Sequence, residues 1–577
     1  MPFPEPSEIA LATRRPSYNQ AALSETEKTL AKIWAKHVKS VVSHRTITPD
    51  DSFWDLGGHS LIAQYVLLDV RKAFSGTGIT IRSLFEHPSL RSFAAEVDRL
   101  QDPYGLRLDA AEEDTPAQAE YYSNDRVALA KKLPSSFPSG NLPSGPKTVL
   151  LTGATGFLGS HILDLLLRTP SQFSKVICHV RADTSSLGLA RLKNTFLAYG
   201  LAAPPEDRLQ VIVGDLSLPR LGLSQSGWDS LTAEVDVIIH NGARVHWVLD
   251  YSSLRASNVL STVELLHLAA TGKAKSMIFI SSTSVVDTEF YTNPTAWAKS
   301  LESPIPEADD LAGSAKGLAT GYGQTKWVCE GLMRDAGARG LAGYVLRPGY
   351  VTGESNRGTT LTDDFLVRIL KGCVQLAYFP DLGRENAVNA MPVDGLARIC
   401  AAAAALPPSV TRGGNVQVLN ATRRAMTFND YLRCLAKYGY GVQRASYDSW
   451  RMMLQDYVNF TAEEGYEEHA LLPLFHLAVS DLPADSRSPA LDYTNTTALL
   501  KKAATAGVKL DDGTEEANFE IDEEIVGRYL AYLCDIGFMT KPTRHGLKEL
   551  PQVEIGKDQR EALGKVEGRG AISSREV

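Results

Sequence analysis

Cysteine is scarce and scattered: Cys178, Cys329, Cys373, Cys400, Cys434 and Cys534 are the six in 577 residues, with no C-x-x-C pair. That excludes a disulfide framework and a zinc site of the usual spacing, and points to thiols in a reducing compartment. The 12 histidines show no H-E-x-x-H arrangement, so no metal site is expected. No apolar run approaches the ~18 residues of a membrane span. The longest, Ile399 to Leu406, is mostly alanine and stops at Pro407-Pro408. The first residues, MPFPEPSEIALATRRP, lack the apolar core of a signal peptide. Excess positive charge is also missing. Lys+Arg 59 against Asp+Glu 67 leaves a net charge of −8, without the basic field that nucleic-acid binding uses. These absences describe a cytoplasmic chain with neither membrane nor nucleic acid among its partners.

What is present is ordinary globular composition, 44% hydrophobic and 22% charged. Length alone gives a prior of about four domains. Residues 1–22 are rich in proline and polar residues and read as a tether. Ser24 and Glu27 then form a capping box, and Leu30, Ile33, Trp34 and Val38 follow at helical spacing. A second helix is expected from Ser60, and a third after Pro88 with Leu90, Phe93, Ala94, Val97 and Leu100 on one face. A small all-α, four-helix domain over 23–100 fits these signals.

From 101 to 145, Asp, Glu, Ser and Pro dominate, and irregular chain is expected: a linker, or a strap along a neighbouring domain. At Lys147 short apolar runs begin to alternate with helical stretches: KTVLLTG, KVICHV, LQVIVGD, VDVIIHN, SMIFISS and GYVLRPG. Buried parallel strands between helices give that rhythm, and hence an α/β Rossmann-type sheet over about 146–420. A mostly helical region over about 421–555 and a disordered tail at 556–577 are expected to complete the chain.

Asp51-Ser52-Phe53-Trp54-Asp55-Leu56-Gly57-Gly58-His59-Ser60-Leu61 precedes the second helix. An isolated serine there would read as an N-cap. The whole string resembles the carrier domains of nonribosomal peptide synthetases. That resemblance implies a 4′-phosphopantetheine arm on Ser60, installed by a phosphopantetheinyl transferase, with its phosphate at a helix N-terminus that favours anions.

Thr152-Gly153-Ala154-Thr155-Gly156-Phe157-Leu158-Gly159 joins the first strand to its helix. Glycines at 153, 156 and 159 permit a tight turn, approach of a pyrophosphate and close helix–strand packing. The second strand runs into Arg181 where an acidic residue would bind a ribose hydroxyl, and a guanidinium suits a 2′-phosphate. NADPH is therefore expected over NADH, with Arg191 as a candidate second clamp. The G-x-x-G-x-x-G spacing resembles the extended short-chain dehydrogenase/reductase superfamily. The resemblance places Thr155, Phe157, Leu158, Asp215, Leu216, Asn241, Ala243, Pro348 and Val351 at the cofactor with the three glycines.

Tyr322-Gly323-Gln324-Thr325-Lys326 sets a phenol and an ammonium four residues apart on one helix face, after a strand ending Ile280-Ser281-Ser282-Thr283. In that superfamily the Tyr is the acid, the Lys holds the nicotinamide ribose, and a Ser or Thr orients the substrate oxygen. Register selects Thr283, with Ser282 and Ser284 as alternatives. Asn258 reads equally as support for a proton relay or as a helix-packing amide. Carrier and reductase together resemble the thioester-reductase release modules of nonribosomal peptide synthetases.

SSTSVVDTEFY, GLATGYGQTKWVCEG, LRPGYVTG, TDDFLVRILKGCVQL and NAMPVDGLARI resemble the fungal L-2-aminoadipate reductase family of lysine biosynthesis. That implies an aminoadipyl thioester on the arm, reduced through a thiohemiacetal to aminoadipate semialdehyde. It also implies an adenylation domain upstream, so this chain is expected to be the carrier–reductase portion of a longer protein. Two alternatives stand: a related reductase releasing another aldehyde or alcohol, and a carrier and binding module whose Rossmann domain is not catalytic.

Overall fold

The computed structural model describes residues 23–38, 47–54, 56, 60–74, 79, 83–84, 87–101, 116–140, 145–246, 249–383, 386–408, 416–460, 469–479, 482–485, 487–508 and 520–566. The expected tether at 1–22, the Gly57-Gly58-His59 part of the carrier motif and the last eleven residues lie outside them. Two compact units divide the chain, Met1–Ala111 and Glu112–Val577.

In the first unit, Ser24 accepts from the Glu27 amide (3.0 Å) and Glu27 returns a bond to the Ser24 amide (2.7 Å), which starts the helix Glu25–His37. Leu30 and Trp34 from this helix are buried, and Trp34 packs edge-on against Phe53 at 5.3 Å and beside Phe93 at 6.1 Å. The helices Ser60–Ala73 and Leu90–Gln101 complete what is described of this core. Phe53 donates its amide to the Pro88 carbonyl (2.8 Å), and Leu90 donates to the Asp51 carbonyl (3.0 Å). The motif segment is thereby tied to the start of the third of these helices.

The second unit is built on strands β1 (Lys147–Thr152), β2 (Phe173–Val180), β3 (Leu209–Val213), β4 (Val237–His240), β5 (Ser276–Ile280) and β6 (Ala342–Pro348). They are followed by β7 (Tyr350–Thr352), β8 (Tyr378–Asp381), β9 (Ala387–Pro392), β10 (Val416–Ala421), β11 (Arg423–Thr427) and β12 (Gln443–Ser446). The main sheet has seven strands, all parallel, in the order β10-β6-β5-β4-β1-β2-β3. Strand order reverses between β1 and β4, and ligands of such sheets bind at the carboxyl ends of the strands beside that reversal. Successive residues of β1 feed opposite cores: Val149 and Leu151 join the helices Phe157–Arg168 and Val393–Ala405, whereas Leu150 joins Ser261–Ala269 and Gly321–Ala338. The alternation follows from the two-residue period of a strand. It explains why the strands read as unbroken apolar runs.

Three expectations need correction. Residues 116–130 are not irregular: Pro116–Ala130 is a helix, and its sequence after the proline is rich in good helix formers. Tyr122 is buried, donates to the Ser314 carbonyl (2.8 Å) and meets Trp327 edge-on at 5.4 Å. Asp125 accepts two bonds from Arg255 (2.7 and 2.8 Å) and one from Tyr251 (2.6 Å). Arg126 lies across Gly331, where any side chain would collide with its Nε. The tail is structured in part, since Lys557–Leu563 is a helix that buries Ala562 and bonds through Gln559 to the Ala198 carbonyl (3.3 Å). The region after 420 is mostly helical, but β11 pairs antiparallel with β9 and β12 pairs parallel with β8.

Candidate active site

At the end of β1 the chain turns through Gly153 at φ +71°, where a Cβ would come within 2.7 Å of Gly242. A Cβ on Gly159 would lie 2.0 Å from the Gly153 carbonyl oxygen. The turn is therefore closed to side chains on its inner side, and Asn241 braces it by donating to the Gly153 carbonyl (3.1 Å). Gly156 is the N-cap of Phe157–Arg168 and offers no side chain to the helix end. Such an end favours an anion. This cradle fits a dinucleotide pyrophosphate. The side chains of Phe157 and Leu158 are committed to the core, which leaves their backbone amides as what they can offer a ligand. Thr155 is half-buried on the turn.

Next to the turn, the Gly242 amide donates to Thr152 Oγ1 (2.9 Å), and Thr152 Oγ1 is 2.8 Å from His240 Nδ1. Burial, with the Lys326 charge second, holds the His240 imidazole down at about 3, so it stays neutral. Leu216 lies against Gly242. Ala243 is half-buried just beyond. Pro348 ends β6 opposite Ala421, and Val351 on β7 stands opposite Met391.

Beyond the end of β2, Arg181 and Arg191 line an open cleft of about 460 Å³ with Ala182, Asp183, Asp215 and Leu218. Arg191 donates to the Arg181 carbonyl (3.1 Å), which sets the Arg191 guanidinium beside the Arg181 backbone. Asp215 accepts from the Ser217 hydroxyl (2.7 Å) and amide (2.8 Å), and these bonds hold its carboxyl below the usual range and ionised.

Across the reversal point, Thr320 caps the helix Gly321–Ala338 through the Gly323 amide (3.1 Å). Lys326 is buried one turn after Tyr322. Its Nζ donates to the Ile280 carbonyl (2.6 Å) and sits 5.5 Å from the centre of the Tyr322 ring and 4.8 Å from that of Phe279. Thr283 opens a 3₁₀ turn, Thr283–Val286, at the end of β5. The Ser282 hydroxyl is engaged in capping this turn through the Ser284 amide (3.1 Å), and the Ser284 hydroxyl is enclosed without a partner. Thr283 is half-buried between them.

Asn258 lies in a π-helical turn, Ala256–Leu260, of the kind often found at functional sites. Its amide bonds both backbone groups of Arg244 (2.7 and 3.0 Å) and Thr325 Oγ1 (3.3 Å). These bonds serve the helix-packing reading of Asn258. In the carrier unit, Ser60 is the first residue of its helix. Sequence reasoning missed the buried Ser281–Glu330–Arg347 group behind the Thr283 turn. No local motif marks it, because its members come from two strand ends and a helix.

Residues 28–97 match the phosphopantetheine attachment site family, and residues 151–400 match the male sterility protein family of NAD-binding domains. The L-2-aminoadipate reductase large subunit of Penicillium chrysogenum is 44% identical across 99% of this chain and 41% of its own length. The L-2-aminoadipate reductase of Saccharomyces cerevisiae is 40% identical across 96% of this chain and 40% of its own. Over nearly its whole length the chain is similar to these L-2-aminoadipate reductases. It spans about two fifths of the length of these relatives. Among solved structures, the terminal R domain of the myxalamid pathway is 29% identical with a TM-score of 0.60, covering 73% of this chain and 99% of that one. An archaeal thiolation-reductase di-domain, 19% identical with a TM-score of 0.60 over 90% of this chain and 99% of that one, shares the fold. The chain thus carries a phosphopantetheine attachment domain and an NAD-binding domain. Among the described residues no helix is long and apolar enough to cross a membrane.

Proposed function

We propose that this chain reduces an aminoadipyl thioester, held on a phosphopantetheine arm at Ser60, to aminoadipate semialdehyde in the cytoplasm. NADPH is the reductant, and an adenylation domain charges the arm. The carrier spans about 23–100, and the reductase follows in the same polypeptide. The observation that carries this reading is the buried Lys326 ammonium, anchored to the Ile280 carbonyl one helical turn from Tyr322 and beside the Thr283 turn.

When bound, NADPH supplies the hydride. Gly153, Gly156 and Gly159 keep the pyrophosphate path open, and Asp215 and Asn241 would hold the nucleoside. Arg181 and Arg191, on the rim of the cleft, would hold the 2′-phosphate. As hydride reaches the thioester carbon, negative charge grows on the carbonyl oxygen, and donors aimed at that oxygen lower the barrier. Thr283 orients the oxygen, and the Tyr322 hydroxyl gives it a proton. Lys326 holds the nicotinamide ribose and keeps positive charge beside the phenol. Loss of the carbon–sulfur bond then frees the aldehyde and returns the arm as a thiol. Tethering presents the acyl group at an effective concentration in the mM range, so no tight acyl pocket is needed for capture.

Charging Ser60 chemically with aminoadipyl-pantetheine bypasses loading. Mixing this chain with NADPH should oxidise one equivalent per chain and release the semialdehyde, and Ser60→Ala should abolish it. Oxidation with another acyl group but none with aminoadipyl would refute the substrate.

A further inference from the structure

Two charges buried behind the catalytic turn take no part in the chemistry above. Glu330 and Arg347 are both 0% exposed, and Arg347 donates to Glu330 through Nε (2.8 Å) and Nη2 (2.6 Å). Desolvating two charges is costly, and apolar side chains of similar volume often pack as well or better. Packing alone therefore gives little reason for this pair.

Glu330 makes one more bond. Its Oε1 accepts from the Ser281 hydroxyl at 2.6 Å. Ser281 follows β5 directly, stands two residues before Thr283, and donates its own amide to the Leu346 carbonyl (2.7 Å). Glu330 stands four residues after Lys326, so both side chains leave the same face of one helix. That helix holds the end of β5 at two successive residues: Lys326 at the Ile280 carbonyl and Glu330 at the Ser281 hydroxyl. Arg347, next to Leu346 on β6, completes a loop of bonds through both strands and the helix. With two fixed points the strand end can neither slide along the helix nor rotate against it. Thr283, two residues further on, inherits that placement.

We propose that Ser281 and Glu330 are positioning residues for the reduction, fixing the Thr283 turn against Tyr322 and Lys326. The inference rests on the reductase reading given above. Misplacing a reacting group by about 1 Å can cost up to about a hundredfold in rate. The loss of one of two anchors should cost less.

Ser281→Ala removes a single oxygen and leaves the Glu330–Arg347 pair in place. In the full chain charged at Ser60, the maximal single-turnover rate, taken as kcat, should fall about tenfold. KM for NADPH should stay within about twofold, and the kinetic isotope effect with 4-deuterated NADPH should increase as hydride transfer becomes limiting. Ser281→Thr keeps the hydroxyl and should recover most of the rate. Wild-type kcat in Ser281→Ala, a loss confined to KM, or a threonine variant no better than alanine would each overturn the proposal. Wild-type chain that ignores the aminoadipyl group but reduces another thioester would remove only the substrate reading, and the Ser281 comparison is then made with that thioester. Wild-type chain inactive toward every thioester would overturn both.

Discussion

The two ends of the proposed cofactor crevice are built in opposite ways. At the β2 end, Arg181 and Arg191 stand exposed on the rim of an open cleft, where water and salt share their fields. At the β5 end, Lys326 is 3% exposed, and Glu330 and Arg347 are enclosed completely. A solvated guanidinium adapts to a phosphate that arrives with its own charge. A site for transient charge gains most from donors fixed beforehand in a dry setting, because nothing has to reorganise during the reaction. For the proposed reduction, the difference teaches that recognition is left soft while the chemistry is held stiff.

Replacing Tyr322 with phenylalanine breaks the stiff end at the reacting atom and should produce the largest effect. Removing a general acid costs about 10²–10⁴ in rate. Single-turnover NADPH oxidation should show a loss in that range with cofactor affinity nearly unchanged. A loss under tenfold would mean that the proton comes from elsewhere. Glu330→Ala tests the stiffness itself by leaving Arg347 buried without its partner. Destabilisation of about 3–5 kcal/mol is expected for such a change. Urea unfolding followed by fluorescence would measure it, and a cost below 1 kcal/mol would show the pair to be slack. Arg181→Ala probes the soft end and should have the smallest effect. Losing one charged hydrogen bond partner is worth about 1.5–3 kcal/mol, less where salt screens it. KM for NADPH should rise about tenfold, less in high salt, while KM for NADH stays put. Equal changes for the two cofactors would mean that Arg181 does not meet the 2′-phosphate.

Legibility in the sequence followed the range of the interactions. The glycine turn, the Tyr322–Lys326 pair and the Ser24–Glu27 cap are local patterns whose spacing is itself the geometry, and their elements appear where the spacing puts them. The alternation of apolar runs and helical stretches also carried the parallel sheet, because burial on both faces leaves an unbroken apolar mark. The helix Pro116–Ala130 was hidden by its surroundings: prolines and acidic residues on either side mask a good helical stretch whose packing depends on Trp327 and Arg255, far along the chain. Likewise Lys557–Leu563 reads as solvated charge until Ala562 finds the helix Ser185–Ala198. The Glu330–Arg347 pair is invisible for the same reason. Its 17-residue separation matches no helical or strand period, and only the packing of the helix Gly321–Ala338 against β6 brings it together.

The helix Pro116–Ala130 also relocates a seam. Although it precedes the first strand of the sheet, Tyr122, Asp125 and Arg126 are spent on the helix Gly321–Ala338 and on Tyr251 and Arg255. A graft that joins this reductase to a foreign carrier must take that helix along. Cutting at Lys147 would strip the back of the helix Gly321–Ala338 and leave Arg255 without its carboxylate. The exchangeable part begins ahead of Pro116, some thirty residues before the fold that gives the reductase its familiar outline.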